Sequence, residues 1–264
     1  MAYASYAKTS KSGGLNMSGL PLTAANQPAL ATAVIKPEQN TTYEIGLKSR
    51  LFANRLQVNA DLFNTTVHDF QTNVVDSGPG ALRGYLANIA LVRSKGAEMD
   101  AQWLVTEALG LHASASLTDG RYVSYRNGPC PLEQISAATT VCDLSGRPIT
   151  GLPSSVWSFG GEYHHPVEAL GQTGEAFAHA ESTLRTHMYG DPTDSRYTRL
   201  SGYGLVNASL GYRSQRGWEI SLWARNLTDA HYLQNVTVQS GNSGLIVGTP
   251  GDPRTVGMTL RTRF

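Results

Sequence analysis

Tyr43-Glu-Ile-Gly-Leu-Lys-Ser49 alternates side-chain character residue by residue. After the short break Phe52-Ala-Asn-Arg55 the alternation resumes in Leu56-Gln-Val-Asn-Ala-Asp-Leu62. Tyr43, Ile45 and Leu47 share one face, and Glu44, Gly46 and Lys48 the other; Leu56, Val58, Ala60 and Leu62 then stand against Gln57, Asn59 and Asp61. Successive side chains of a strand point to opposite faces, so this period of two predicts two strands, each with one apolar face, joined by a tight turn. The same pattern recurs outward along the chain. Leu111, Ala113, Ala115 and Leu117 oppose His112, Ser114, Ser116 and Thr118, and Val206, Ala208, Leu210 and Tyr212 oppose Asn207, Ser209, Gly211 and Arg213. The last stretch sets Val256, Met258, Leu260, Thr262 and Phe264 against Gly257, Thr259, Arg261 and Arg263.

Ten strands are predicted in all, at 2–8, 41–51, 55–70, 84–105, 111–123, 155–164, 175–189, 203–213, 218–228 and 254–264. Several reach or exceed the ~9–11 residues that a tilted strand needs to cross a bilayer, where strands of soluble sheets average ~5–6. The connections alternate short and long. The short ones are 52–54, 106–110, 165–174 and 214–217, and the long ones 9–40, 71–83, 124–154, 190–202 and 229–253. Structureless loops beyond ~12–15 residues are uncommon in compact soluble domains, whereas tight turns on one side and long loops on the other belong to outer-membrane barrels. The polar faces carry Glu98, Asp100, Gln102, His179, Glu181, Arg185, Arg225, Arg261 and Arg263, which suits a wet interior. A soluble β-sandwich, its apolar faces packed inward, shows the same alternation and stays open as a reading. Tyr43, Trp103, Trp157, Tyr163, Tyr212 and Trp218 lie near strand ends, where aromatic residues form interfacial girdles, although they are also plain strand formers.

Composition narrows the field. Lys and Arg number 21 against 20 Asp and Glu, so bulk charge points to no nucleic acid or acidic partner. No apolar run approaches the ~18 residues of a membrane-crossing helix. The 27 glycines, with abundant Thr, Ser, Tyr and Asn, favour strands and turns. Met1-Ala-Tyr-Ala-Ser-Tyr6 lacks the basic and apolar regions of an export signal, which leaves a cytosolic protein or a start further upstream.

Five motifs in order resemble the barrel of TonB-dependent outer-membrane receptors. They are Tyr3-Ala-Ser-Tyr-Ala7 with Lys11-Ser-Gly-Gly-Leu-Asn16; Lys36-Pro-Glu38 leading into Tyr43–Ser49; Ala87-Asn-Ile-Ala90 with Ser94-Lys-Gly-Ala-Glu-Met-Asp100; Trp223-Ala-Arg-Asn-Leu-Thr-Asp229 with Tyr232; and the terminal Pro253–Phe264. The resemblance implies an all-β fold: an antiparallel transmembrane β-barrel segment, about ten strands of a larger, twenty-two-strand barrel. Residues 1–264 are then the C-terminal portion of that barrel, with the plug domain absent. It further implies a receptor for TonB-dependent nutrient uptake in the outer membrane of a Gram-negative bacterium, with a ferric siderophore as the expected ligand and no enzymatic activity. The implied partners are outer-membrane lipid, the barrel-assembly machinery, a small-molecule ligand, and the TonB complex through the plug. The sequence is read as a fragment of a longer receptor or a truncated product, not transport-competent alone. A stand-alone barrel, passive or structural, remains the alternative.

The final strand, with Val256, Met258, Leu260, Thr262 and Phe264 on one face, resembles the signal read by the barrel-assembly machinery. Cys130 and Cys142, the only cysteines, fall in one long loop. In an exported loop such a pair is expected as a disulfide, the alternatives being metal ligation, which needs more donors, or two free thiols. Ligand contacts are expected from Tyr122, Tyr125, His187, Tyr189, Arg196 and Tyr197, since Arg and Tyr suit anionic, aromatic ferric chelates; the opposing reading makes them interface aromatics and ordinary loop residues. His164-His165-Pro166 reads as a solvated turn rather than a metal pair, and neither a nucleophile elbow nor a phosphate loop is present. No catalytic residue, metal site or cofactor is expected.

Overall fold

The computed structural model describes the chain except residues 17–19, 21–22, 24–26, 76–83, 136–140, 170, 239–244 and 263–264. Ten antiparallel strands make one sheet in chain order. They are β1 (Ala2–Lys11), β2 (Glu38–Leu51), β3 (Leu56–Val75), β4 (Gly84–Leu104), β5 (Leu109–Ser124), β6 (Ser155–Ala169), β7 (Gln172–Arg185), β8 (Tyr203–Ser214), β9 (Trp218–Arg225) and β10 (Thr255–Thr262). Each pairs with its neighbour in sequence, so the sheet is a meander. Among the described residues β1 and β10 share no ladder with each other.

The ladders put all the period-two faces on common sides. Ile45 stands opposite Leu62, Leu62 opposite Ala97 and Ala97 opposite Leu117; further along, Ala178 faces Leu210, Leu210 faces Leu222 and Leu222 faces Met258. This apolar side is uncovered: Ile45 is 57% exposed, Leu210 59% and Met258 65%. A β-sandwich would bury those side chains between two sheets. Instead the buried cluster of Ile89, Val92, Tyr122, Tyr125 and Leu144 packs on the opposite side, at the long-loop end. The apolar face is therefore the outside of the wall and the polar face its lumen. Aromatic residues mark both rims of the outside. Trp103, Tyr163, Tyr212 and Trp218 stand at the short-turn end, and Tyr43 (beside Tyr6, ring centroids 5.2 Å apart) and Trp157 toward the other.

The turns follow local chemistry. Phe52, Ala53 and Asn54 all adopt positive φ between β2 and β3, and Arg55 steadies the next turn by donating to the carbonyls of Leu104 and Val105. The connection expected at 165–174 is a correction: β6 runs on to Ala169 and β7 starts at Gln172, so His164, His165 and Pro166 are strand residues opposite Phe177, Ala176 and Glu175. Proline is accommodated there because β5 pairs with β6 only as far as Tyr163; beyond it the other edge of β6 has no ladder for a missing N–H to interrupt. The long connections also hold structure that alternation over longer runs does not reveal. Short hairpins pair Gly128–Pro129 with Val141–Cys142, Met188–Tyr189 with Arg199–Leu200, and Leu233–Val238 with Ile246–Pro250.

Two motif residues show why their types are needed. A side chain at Gly46 would strike the ring of Tyr3, which crosses the lumen side to donate to Glu44 at 2.5 Å. Asn226, buried and at positive φ, closes its own turn through Ala230 and also donates to the carbonyl of Asp252, so it pins both ends of the loop before β10. Val256, Met258, Leu260 and Thr262 do share one face, across from Ala224, Leu222, Ile220 and Trp218; Phe264 lies outside the described residues.

Met99 faces outward within the apolar band, four residues from Trp103 at the short-turn rim, whereas Ser114 faces the lumen opposite Asp100. Met99→Arg is expected to cost ~2–4 kcal/mol of stability in vesicles and Ser114→Arg close to nothing. Denaturant titration of the membrane-inserted protein checks the contrast; equal costs would contradict the assignment of faces.

Candidate functional site

At the long-loop end, three connections fold over the lumen side of the wall and hold one another. The 125–154 loop returns along β5 through hydrogen bonds from Tyr122 N to Arg147 O (2.9 Å), Leu144 N to Tyr125 O (2.8 Å) and Ile149 N to Gly120 O (3.0 Å). Leu144, fully buried, and Ile149 pack against the cluster of Ile89, Val92, Tyr122 and Tyr125, which fixes the course of the returning 144–149 segment. Cys130 and Cys142 are bonded to each other within it. The 186–202 loop meets it through Glu133, whose carboxylate accepts from the Ser195 hydroxyl (2.6 Å) and the Arg196 amide (3.0 Å), and through Arg147, which donates to Thr193 O (2.9 Å). The third connection, with its 233–250 hairpin, joins where Gly190 passes so close to the carbonyl of Val236 that no Cβ fits.

Electrostatics tie this cap together unevenly. Burial alone would raise the Glu133 carboxyl, but the hydrogen bonds from Ser195 and Arg196 outweigh it and hold Glu133 below its usual range. Asp194 goes the other way. Burial pushes it up to about 6, with Asp191 adding to the shift and Arg147 opposing it. Asp194 adopts positive φ, and its Oδ1 and the Oδ2 of Asp191 are buried without hydrogen-bond partners.

The six residues singled out as ligand contacts all fall in or beneath this cap, as three neighbouring pairs. Tyr122 and Tyr125 meet edge to face (5.5 Å) and are closed off from solvent. Tyr122 shares a hydrogen bond with Thr150 at 3.1 Å, while the Tyr125 hydroxyl has no partner and burial raises its ionisation well above the ordinary tyrosine value. His187 and Tyr189 stand edge to face at 6.2 Å, and exposed Arg196 lies 4.7 Å over the Tyr197 ring. Sequence reasoning missed Arg185 as part of the cap. Its guanidinium lies 4.2 Å over Tyr203, whose ring sits 4.1 Å from that of Tyr232, and its Nη2 reaches Leu233 O at 3.5 Å. Its lumenal parity was visible in the sequence, but the distant Tyr232 was not assignable to it.

Below the cap the lumen wall is polar and largely self-paired. One row across four strands reads Glu175, Arg213, Glu219, Arg261, with ion pairs of 3.4, 3.0 and 3.6 Å. Opposite charges facing across strands support the sheet modestly, ~0.2–1 kcal/mol per pair. Among the described residues no group of three or more His, Cys, Asp or Glu is placed to hold a metal ion. The arrangement offers recognition chemistry: aromatic rings, guanidinium groups and hydroxyls above a wet channel wall.

The family model for the TonB dependent receptor-like β-barrel matches residues 1–227. The chain is 23% identical over 235 residues, 88% of its length, to the ferric-pyoverdine M114 receptor PbuA of Pseudomonas sp. (strain M114), and covers 25% of that protein. The structure of the ferric yersiniabactin uptake receptor FyuA of Yersinia pestis aligns with all of the chain at a TM-score of 0.73 and 18% identity; 35% of that receptor is covered. The copper transporter OprC aligns with all of it at 0.67 and 18%, with 37% covered. The chain thus spans about a quarter of the curated relative and about a third of the solved structures. At such identities the structural likeness speaks for the fold.

Two predictions follow from the cap's geometry. A carboxyl raised above its unfolded value costs stability while ionised, so lowering the pH from about 7.5 to about 5, through the Asp194 value, should strengthen the 190–200 segment by up to ~1 kcal/mol. Glu133, held low, opposes this only at more acidic pH, as it protonates. Hydrogen exchange corrected for intrinsic rates reads the effect, and Asp194→Asn should abolish it. Tyr125→Phe removes a buried hydroxyl without a partner and should stabilise the cap by ~1 kcal/mol in the same measurement.

Proposed function

This chain belongs to the TonB-dependent receptor-like β-barrel family, and from that premise we propose that it forms part of the wall and outer loops of an outer-membrane receptor for a ferric siderophore. The family is one of bacterial outer-membrane receptors and transporters, not an enzyme class. The observation that carries the reading is the inverted sheet: Ile45, Leu62, Leu210 and Met258 are bare on the outside, while loops are packed over a polar lumen. Apolar residues so displayed are stable against hydrocarbon, and a strand wall crosses hydrocarbon only when its backbone groups pair within the wall. On this reading further strands pair with the free sides of β1 and β10, completing a larger barrel whose plug engages TonB.

Recognition falls to the exposed part of the cap. Arg196, Tyr197, His187 and Tyr189 present charge and rings suited to an anionic chelate, while Tyr122 and Tyr125 support them from beneath. The relatives named for ferric pyoverdine and ferric yersiniabactin favour iron as cargo; the one named for copper indicates that the wall alone does not choose the ligand. The choice rests with the loops.

Uptake of radiolabelled iron tests this in cells whose only outer-membrane iron receptor is the full polypeptide of the natural reading frame. At least one ferric chelate should be taken up in an energy-dependent way. Arg196→Ala with Tyr197→Ala should weaken its binding by roughly tenfold or more, whereas Tyr125→Phe should not. Correct insertion without uptake of any ferric chelate tried would count against iron as the cargo.

A further inference from the structure

One carboxylate joins the tips of the two larger cap loops, and a disulfide sets where that carboxylate stands. In the first loop Gly128 pairs with Cys142 and Pro129 with Val141. Cys130, 4% exposed, is bonded to Cys142, two residues before the fully buried Leu144. Leu144 lies so close to Gly128 that a Cβ there would meet its side chain at 2.5 Å. Pro131 is also fully buried, and the single 3-10 turn Leu132–Gln134 then carries Glu133 out to the surface. From the core cluster to Glu133 the bracing runs through Leu144, Cys142, the sulfur bridge, Cys130 and Pro131.

Across from it, the turn 195–198 is built to point two side chains outward. Ser195 and Thr198 are fully buried. Ser195 Oγ accepts from the Tyr197 amide (3.3 Å), and both the amide and the hydroxyl of Thr198 donate to Ser195 O at 3.0 Å. Arg196 and Tyr197 are left exposed, with Arg196 Nη2 donating to the Tyr197 hydroxyl at 2.6 Å. Glu133 grips the turn itself, taking the Ser195 hydroxyl on one carboxylate oxygen and the Arg196 amide on the other. Arg147 and Gly151 also join the loops, donating to Thr193 O and Tyr189 O at 2.9 Å, but they hold the segment that leads into the turn.

Resting on the recognition surface proposed above, we propose that Glu133 is a positioning residue for Arg196 and Tyr197, and that thiol–disulfide exchange at Cys142 releases it. Cys142 is the less buried of the two cysteines. The thiolate of a small dithiol attacks Cys142 Sγ, the S–S bond breaks, and Cys130 leaves as a thiolate that takes up a proton. The reagent's second thiolate then attacks the reagent's own sulfur in the mixed disulfide, closing a cyclic disulfide and freeing Cys142 as a thiol. The dithiol is oxidised and both cysteines are reduced. Among the described residues, the two-pair ladder from Gly128 and Pro129 is then the backbone pairing left to brace the turn that carries Glu133. The bonds to Ser195 and Arg196 no longer offset the entropy of ordering that turn, and Arg196 and Tyr197 lose their fixed place beside His187 and Tyr189.

Amide hydrogen exchange tests the latch, on the full polypeptide of the natural reading frame in phosphatidylcholine bilayers. Glu133→Ala should speed exchange at the Arg196 amide about tenfold, the scale of a lost hydrogen bond to a charged group. Glu133→Gln keeps an acceptor for that amide and a donor for Ser195 Oγ, and should restore most of the protection. Dithiothreitol should accelerate the unaltered protein equally. It should add nothing to Glu133→Ala, nor to Cys130→Ser with Cys142→Ser, because bridge and carboxylate act in series. The Tyr122 and Ile149 amides, held by the return along β5, should not change. A full response to dithiothreitol in Glu133→Ala, or loosening of Tyr122 and Ile149 together with Arg196, overturns the proposal and leaves the disulfide a general brace. Gallium(III) complexes of a catecholate and of a hydroxamate, which the dithiol does not reduce, probe recognition. The complex retained should bind about tenfold more weakly after dithiothreitol, as preorganisation is lost. Unchanged affinity overturns the proposal alone. Retention of neither complex sinks the siderophore reading, and the latch's part in recognition with it.

Discussion

A backbone amide surrounded by hydrocarbon has no partner except another strand, and this requirement organises the whole chain. It explains why strands of 14 to 21 residues run side by side from β2 to β7 with continuous ladders. It also explains where irregularity is allowed. Pro166 occurs only past the point at which β5 stops pairing with β6. The positive-φ residues fall mainly in turns and at rims, at Phe52–Asn54, Asp194, Asn226 and Asp229, clear of the middle of the apolar band.

Once the backbone is paired, side chains are free to be sorted by solvent, and the sorting is inside out. Apolar side chains go outward, one per two residues, and the lumen keeps charge and hydroxyls that pair with each other, as in the row from Glu175 to Arg261. Conventional core packing is left to the long-loop end, where Ile89, Val92, Tyr122 and Tyr125 anchor Leu144 and the segment that returns along β5. Glu133, Arg147 and Gly190 then bind neighbouring loops to it. The cap is held in place by this small core and these few polar contacts.

Wall strands were legible because alternation over ten or more residues leaves few competing readings. The turn at His164–Pro166 misled because proline usually ends a strand; whether it does depends on the neighbouring ladder, and that information lies some fifty residues away in β5. The loop hairpins were illegible for a similar reason. Pairs such as Met188–Tyr189 with Arg199–Leu200 are too short to show a period and form only because the loops pack together. The six candidate contact residues were chosen by type and place, and the structure separates them by depth: Tyr122 and Tyr125 beneath, Arg196 and Tyr197 in the open.

The sequence by itself determined the number of long strands, the parity of nearly every side chain along them, and the asymmetry of the connections. These follow from strand geometry, which is local and repeats every two residues. Whether the apolar parity faced outward or inward, which loops touch, and which residues on separate strands share a level were decided only by the tertiary structure. Lys8, Arg93 and Arg121 come into one row because ladder register, a relation between distant segments, sets the height of each strand against the next.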